Sequence, residues 1–299
     1  MNMTTDILNR LCKDRPYMTN EIHRPNSFYG HDIVIKRYCG LPSEYQLKAV
    51  IEHAIFLNDY VQYTWDTDIN SPLPIMFCAN KPHADYITKN TNKIGVPIGP
   101  MISYALPFIE QEEPKEDSVL VIPAHSTHFF STCYDESRLF QHIEEYGIPN
   151  ENVTVLMYWK DYLSGKHQIY RDNGYNLVSA GHIFGNSFLY ILADIISKHK
   201  YVMTNKVGTH VYYSILMGKP VWAVPDENLY TVISKNEEAQ FCAIKSREVR
   251  KLEELFGELR YDITPEQDDY IRKLSGSSNV KSPERLNDIL LMAEKRYSS

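Results

Sequence analysis

Residues 200–224, KYVMTNKVGTHVYYSILMGKPVWAV, decide the fold. Lys200–Thr204 is a short apolar run of β-forming residues. Thr209–Met217 has helical spacing and stops at Gly218, and Pro220–Val224 is apolar again. A helix between two such strands is the crossover that parallel pairing requires. Strands lacking polar alternation are covered on both faces. The same alternation runs upstream, through strands Val119–Pro123, Val153–Tyr158 and Tyr175–Ser179 and helices Glu136–Tyr146 and Ser187–Ser197. A doubly wound, Rossmann-like α/β lobe is therefore expected. After Ser234 the pattern predicts helices over 235–243, 246–257, 264–274 and 282–296, a C-terminal extension that covers the sheet or returns to the first lobe.

One composition break precedes this lobe. Glu110–Asp117, EQEEPKED, is acidic, contains a proline and separates apolar segments, as a linker or exposed crossover does. It divides the chain into an N-terminal lobe, 1–112, and a C-terminal lobe, 118–299. Before the break, Asp32–Lys36, Ile75–Cys78 and Ile94–Pro97 are expected as strands, and Glu44–Leu57 and Ile102–Ile109 as helices. That is an abbreviated α/β lobe.

Composition narrows the function classes. A hydrophobic share of 43% and a charged share of 23% are those of a globular chain. No apolar run reaches the ~18 residues of a membrane span. The start, MNMTTDILNRLCKDRPYM, lacks the basic-then-apolar profile of a signal peptide, so a cytoplasmic location is expected. A net charge of −7 argues against a dedicated nucleic-acid binder. It leaves room for a phosphate ligand, which a few amides and one or two cations can hold. The five cysteines are scattered, without the spacing of a disulfide framework or zinc site, and read as reduced and buried. The 22 tyrosines serve packing first, although sugar-binding surfaces also use aromatic rings.

Ligands of open parallel sheets sit beyond the carboxyl ends of the strands. Those ends read Ala124-His125-Ser126-Thr127, Trp159-Lys160-Asp161, Ala180-Gly181-His182 and Asn205-Lys206-Val207-Gly208-Thr209-His210. Three of the four carry a histidine beside a small residue. In the last, Gly208 permits close backbone approach or an unusual dihedral, Thr209 or Asn205 can cap the helix, and free amides there suit a diphosphate. An ordinary capped helix with a turn glycine fits the same residues. His125, Ser126 and Thr127 suit a phosphate or a transferring group, or a local Ser/Thr turn. Gly181-His182 is placed to meet a base or ribose, or is a plain loop. Tyr158–Asp161 borders a ligand or packs. His53 is a candidate general base on a helix of the first lobe, where a lone histidine is more often structural.

These stretches resemble bacterial glycosyltransferases of the GT-B architecture used in surface-polysaccharide assembly. The likeness rests on Ile51-Glu52-His53, on Ile94–Ala105 and on Val153–Val224, above all the order YWKD, SAGH, TNKVGTH, GKPV. It covers most of the second lobe and is patchy in the first. It implies two Rossmann-like lobes, with donor nucleotide mainly on the C-terminal lobe and acceptor on the N-terminal one. The related CDP-glycerol glycerophosphotransferases carry a His-Gly pair on the acceptor side. His53 matches its histidine, while Ala54 replaces the glycine. By the same likeness Lys206 and Lys160 are candidates for the donor diphosphate, and Glu237 or Glu238 for a donor ribose.

The expected protein is a glycosyltransferase moving a sugar from a nucleotide-sugar donor to a glycan or lipid-linked acceptor, with peripheral contact at the inner membrane face allowed. His53 would take the acceptor proton. His125, Ser126, Thr127, Asn205, Gly208, Thr209 and His210 would line the donor phosphates, with Gly181 and His182 near the nucleoside. No metal or cofactor enters this scheme. The other classes in play are a nucleotide-sugar epimerase or hydrolase and a non-catalytic carbohydrate-binding or assembly protein.

Overall fold

The computed structural model describes residues 1–53, 66–110, 112–127, 130–224, 226, 230–233, 240–241 and 246–299. They gather into two compact units, each discontinuous in sequence. One comprises Arg15–Ile109, Ile183–Ala193 and Asp268–Ser299; the other comprises Met1–Asp14, Glu110–His182 and Asp194–Gln267. The central change of unit falls at the acidic break. Unlike the contiguous division 1–112 and 118–299, the first fourteen residues group with the later unit and the last thirty-two with the earlier one.

In the unit that begins at Arg15, β1 (Ala49–Ile51), β2 (Ile75–Cys78) and β3 (Ile94–Pro97) form a parallel sheet in the order β1-β2-β3. β1 and β2 are buried throughout, as continuous apolar runs in a parallel sheet must be. The crossover helix Lys81–Asn90 starts where the Asn80 side chain accepts the His83 N–H at 2.9 Å. It lies directly on β3: a Cβ on Gly95 would be 2.1 Å from the Ala84 carbonyl oxygen. Val50, Leu73, Met76, Cys78, Ala84 and Ile87 make the core beneath it.

Two expectations for this unit are corrected. Asp32–Lys36 lies within the helix His31–Tyr38. Its β-branched residues are offset by Lys36, which pairs with Asp32 one turn back at 3.0 Å and with Glu21 at 2.6 Å, all three buried. The helix expected over Glu44–Leu57 is instead a turn, β1 and a bend at His53, and 54–57 lie outside the described residues. Leu47, Val50 and Ile51 also fit a helical stripe, which is how a short buried strand is misread. Ile102–Ala105 is helical as expected and tightens to a 3-10 turn at Leu106–Phe108, where Pro107 sits.

The other unit holds β4 (Lys115–Ile122), β5 (Phe130–Cys133), β6 (Val153–Leu156), β7 (Asn176–Val178), β8 (His199–Thr204), β9 (Val221–Ala223), β10 (Tyr230–Ile233) and β11 (Gln240–Phe241). Five of them form a parallel sheet in the order β7-β6-β4-β8-β9. Counted as they occur in the chain, that order is 3-2-1-4-5, the doubly wound arrangement, with its reversal at β4 and β8. β4 begins at Lys115, inside the stretch expected as linker. The remaining three strands pair antiparallel as β11-β10-β5. This small sheet was not expected, and Gln240–Phe241 replaces part of the helix predicted over 235–243. Helices Arg247–Phe256, Pro265–Ser275 and Pro283–Tyr297 complete the chain, the first and last capped by the Ser246 and Ser282 hydroxyls.

Candidate functional site

β4 and β8 are neighbours with Ile122 paired to Thr204, so the loops 123–127 and 205–210 leave the sheet side by side at its switch point. Asn205 Oδ1 accepts the Ala124 N–H at 2.7 Å and ties the two loops together. The Thr204 hydroxyl lies 2.8 Å from the Ile122 carbonyl, 2.9 Å from the Lys206 carbonyl, 3.2 Å from the Lys206 N–H and 3.0 Å from His210 Nε2. It has one proton and two carbonyls to receive it, so the network is satisfied when His210 Nε2 donates. His125 Nδ1 is 2.9 Å from the Ser126 carbonyl. A carbonyl only accepts, so Nδ1 carries the proton and Nε2 keeps its lone pair.

A buried carboxylate holds the first loop. Asp161, at the start of the helix Trp159–Leu163, accepts the Ser126 N–H at 2.8 Å and the Ser126 hydroxyl at 2.6 Å, and pairs with Lys166 at 3.0 Å. Ser126 Oγ in turn accepts the Thr132 N–H at 3.1 Å, and Thr132 Oγ1 donates to the His125 carbonyl at 2.8 Å. Asp161, Lys166 and Thr132 were not among the residues chosen from sequence. Asp161 could have been found, because it stands in a strand-end loop; Lys166 and Thr132 carry no such mark.

The candidates therefore sort into two sets. Ser126, Asn205 and His182 are buried, and the first two position backbone. His125 is exposed, and Thr127, Lys160, Lys206, Gly208, Thr209 and His210 are half-exposed. Lys160 Nζ donates to the Thr127 carbonyl. Burial lowers the pKa of Lys206. Burial, with help from His125 and Lys206, lowers that of His210 to about 3, so its ring is neutral at pH 7.

The helix Thr209–Leu216 begins at Gly208 as its N-cap, not at a capping Thr209 or Asn205, and a glycine offers no capping side chain. Gly208 has φ −171°, extended backbone open to any residue, so glycine supplies room there and no special dihedral. A Cβ would sit 3.4 Å from the His210 ring.

His182, expected near the nucleoside, is packed inside the unit. It follows β7, the outer strand, with β6 and β4 between it and β8. Its N–H donates to the Leu11 carbonyl at 3.0 Å, its ring centroid lies 3.9 Å from that of Trp159, and it is 1% exposed. Nε2 is 3.4 Å from the Asp14 carboxylate. Gly181, with φ +93°, lets the chain pass the helix Thr5–Cys12, since a Cβ would lie 3.2 Å from the Leu11 carbonyl oxygen. Glu237 and Glu238 lie outside the described residues.

In the unit that begins at Arg15, His53 sits in a bend just past the carboxyl end of β1, not on a helix. Its ring meets Phe28 edge-on at 5.1 Å and stacks on Tyr29 at 5.1 Å. Burial lowers its pKa to about 4 and that of neighbouring His31 to about 3. Glu52, Cys78 and His83 present one metal-ligating atom each, all within 4.8 Å of one another, at the carboxyl edge of the three-stranded sheet. Burial, then the Glu52 and Asp68 carboxylates, pushes the Cys78 thiol well above its ordinary value.

No family model matches the sequence, and no curated protein matches it. A solved structure of UDP-GlcNAc 2-epimerase from Neisseria meningitidis bound to UDP-GlcNAc is similar over 80% of this chain and 67% of that one. The identity is 11% and the TM-score 0.36, a likeness too remote to carry either fold or function.

Proposed function

We propose that the chain is an enzyme acting on a nucleotide sugar, and specifically a glycosyltransferase that delivers the sugar to a glycan or lipid-linked acceptor. The observation that carries the reading is the helix start at Gly208. It opens at the switch point of a doubly wound sheet, has glycine at its N-cap and is flanked by His125, Lys206 and His210. Helix-start amides and a cation are what a leaving diphosphate needs. Lys206 would neutralise charge there, His210 and His125 would contact phosphate or sugar oxygens, and Thr209 would add a hydroxyl. The buried Ser126–Asp161–Lys166 network would hold the loop geometry. His53 is the proposed proton acceptor: burial keeps its ring neutral, with a lone pair to take the proton, at the expense of basicity.

Calorimetric titration with UDP, GDP, CMP and CDP tests the binding claim. One of them is expected to bind, and Gly208→Trp should weaken that binding at least about tenfold while the folded spectrum is kept. Unchanged affinity in the variant removes the helix-start assignment. Incubation with a nucleotide sugar alone separates the classes. Turnover without acceptor selects an epimerase or hydrolase, and absence of any nucleotide binding selects a carbohydrate-binding or assembly protein.

A further inference from the structure

We propose that Glu52, Cys78 and His83 form a binding site for zinc(II). Glu52 follows β1, Cys78 ends β2, and His83 lies in the first turn of the helix Lys81–Asn90, so parallel topology brings together residues far apart in sequence. Cys78 and His83 are 0% exposed and Glu52 is 7% exposed. One imidazole nitrogen, one thiol sulfur and one carboxylate oxygen are a donor set suited to this borderline-soft cation. Tetrahedral zinc holds N, O and S donors roughly 3.3–3.7 Å apart. The three donor atoms here lie within 4.8 Å of one another, and His83 Nδ1 and Glu52 Oε1 are hydrogen-bonded at 2.9 Å. Rotamer shifts of about 1 Å or less open that hydrogen bond to ligand spacing and draw the wider pairs in.

The outer contacts are also in place. Glu52 Oε2 accepts the Ala79 N–H at 2.5 Å, and Asn80 fixes the turn that carries His83. Such partners orient ligands in metal sites. Binding exchanges the Cys78 thiol proton for the cation, while the proton between His83 Nδ1 and Glu52 passes to His83 Nε2 so that a neutral imidazole ligates, leaving a fourth position for a small ligand such as water. Zinc would pin the ends of β1 and β2 to the helix beside His53. The site is independent of what the five-stranded sheet binds.

The test is titration of the chelator-treated, dialysed full chain with cobalt(II) and then zinc(II). Expected are about one equivalent of cobalt, a thiolate-to-cobalt charge-transfer band and its loss when zinc displaces the cobalt. Cys78→Ser should abolish the band, whereas Cys12→Ser, Cys39→Ser, Cys133→Ser and Cys242→Ser should each keep it. If Cys78→Ser does not fold, His83→Gln is read instead, with at least about a tenfold loss of cobalt affinity expected. A folded wild-type chain that gives no band and retains no zinc overturns the proposal. So does a band that survives Cys78→Ser, or a His83→Gln affinity equal to that of the wild type.

Discussion

Replacing Asn205 by alanine removes the acceptor that joins the two switch-point loops. Asn205 Oδ1 takes the Ala124 N–H at 2.7 Å, and both residues are buried. The substitution leaves that N–H without its partner in a place water does not reach. An orphaned buried donor costs about 1–3 kcal/mol, far more than the net worth of an average hydrogen bond. A body of this size loses roughly 2–4 °C of Tm per kcal/mol, so the midpoint should fall by roughly 2–12 °C. Differential scanning calorimetry reads the shift. Asn205→Asp keeps an acceptor oxygen and should recover part of the loss at pH 7. Because the bond sets the spacing of loops 123–127 and 205–210, Asn205→Ala should also weaken nucleotide binding. A Tm within about 1 °C of the wild type would refute the reasoning, since the Ala124 N–H would then have found another acceptor.

Three further outcomes follow from the same geometry. Asp161→Ala strips Ser126 of two hydrogen bonds and Lys166 of its ion-pair partner, leaving Lys166 its bonds to the Thr132 carbonyl and the Ser126 hydroxyl. It should cost about 2–4 kcal/mol in denaturant unfolding, kept below the full buried-pair range by the partial exposure of Lys166, and a loss under 1 kcal/mol would contradict the network. Gly95→Ala drives a Cβ to 2.1 Å from the Ala84 carbonyl oxygen and should cost about 3 kcal/mol or more, while Gly147→Ala, with open space around it and φ +70°, should cost only about 1 kcal/mol. His31, His53, His199 and His210 titrate near 3, 4, 4 and 3 in the folded chain against an ordinary 6.5. More than about a unit above 6.5 they are neutral in both states and contribute no slope. As pH falls from 6.5 toward 4 the unfolded chain takes up protons that the folded chain refuses, so stability drops, and His199→Gln should flatten that drop.

The central sheet was legible because its five strands are uninterrupted apolar runs separated by helical spacing. Such runs leave little freedom but burial between two layers of helix. The antiparallel strands Phe130–Cys133 and Tyr230–Ile233 carry no such signal, being four residues each and interrupted by Ser131, Thr132 and Thr231. Asp32–Lys36 misled because its consecutive β-branched residues Ile33, Val34 and Ile35 mask a helix whose Lys36 pairs with Asp32 one turn back and with the distant Glu21. At the site, the strand-end rule found the loops but not which way each side chain turns. Ser126 and Asn205 face inward to hold backbone, and His182 is packed against Trp159. Glu52, Cys78 and His83 match no local spacing and meet only once β1 and β2 pair in parallel.

Amide hydrogen exchange, measured with and without a nucleoside diphosphate, tests the switch-point site most directly. Slowed exchange in the peptides covering residues 123–127 and 205–211, beyond any change elsewhere in the five-stranded sheet, is the predicted result. Binding that leaves those two loops unprotected would contradict the account.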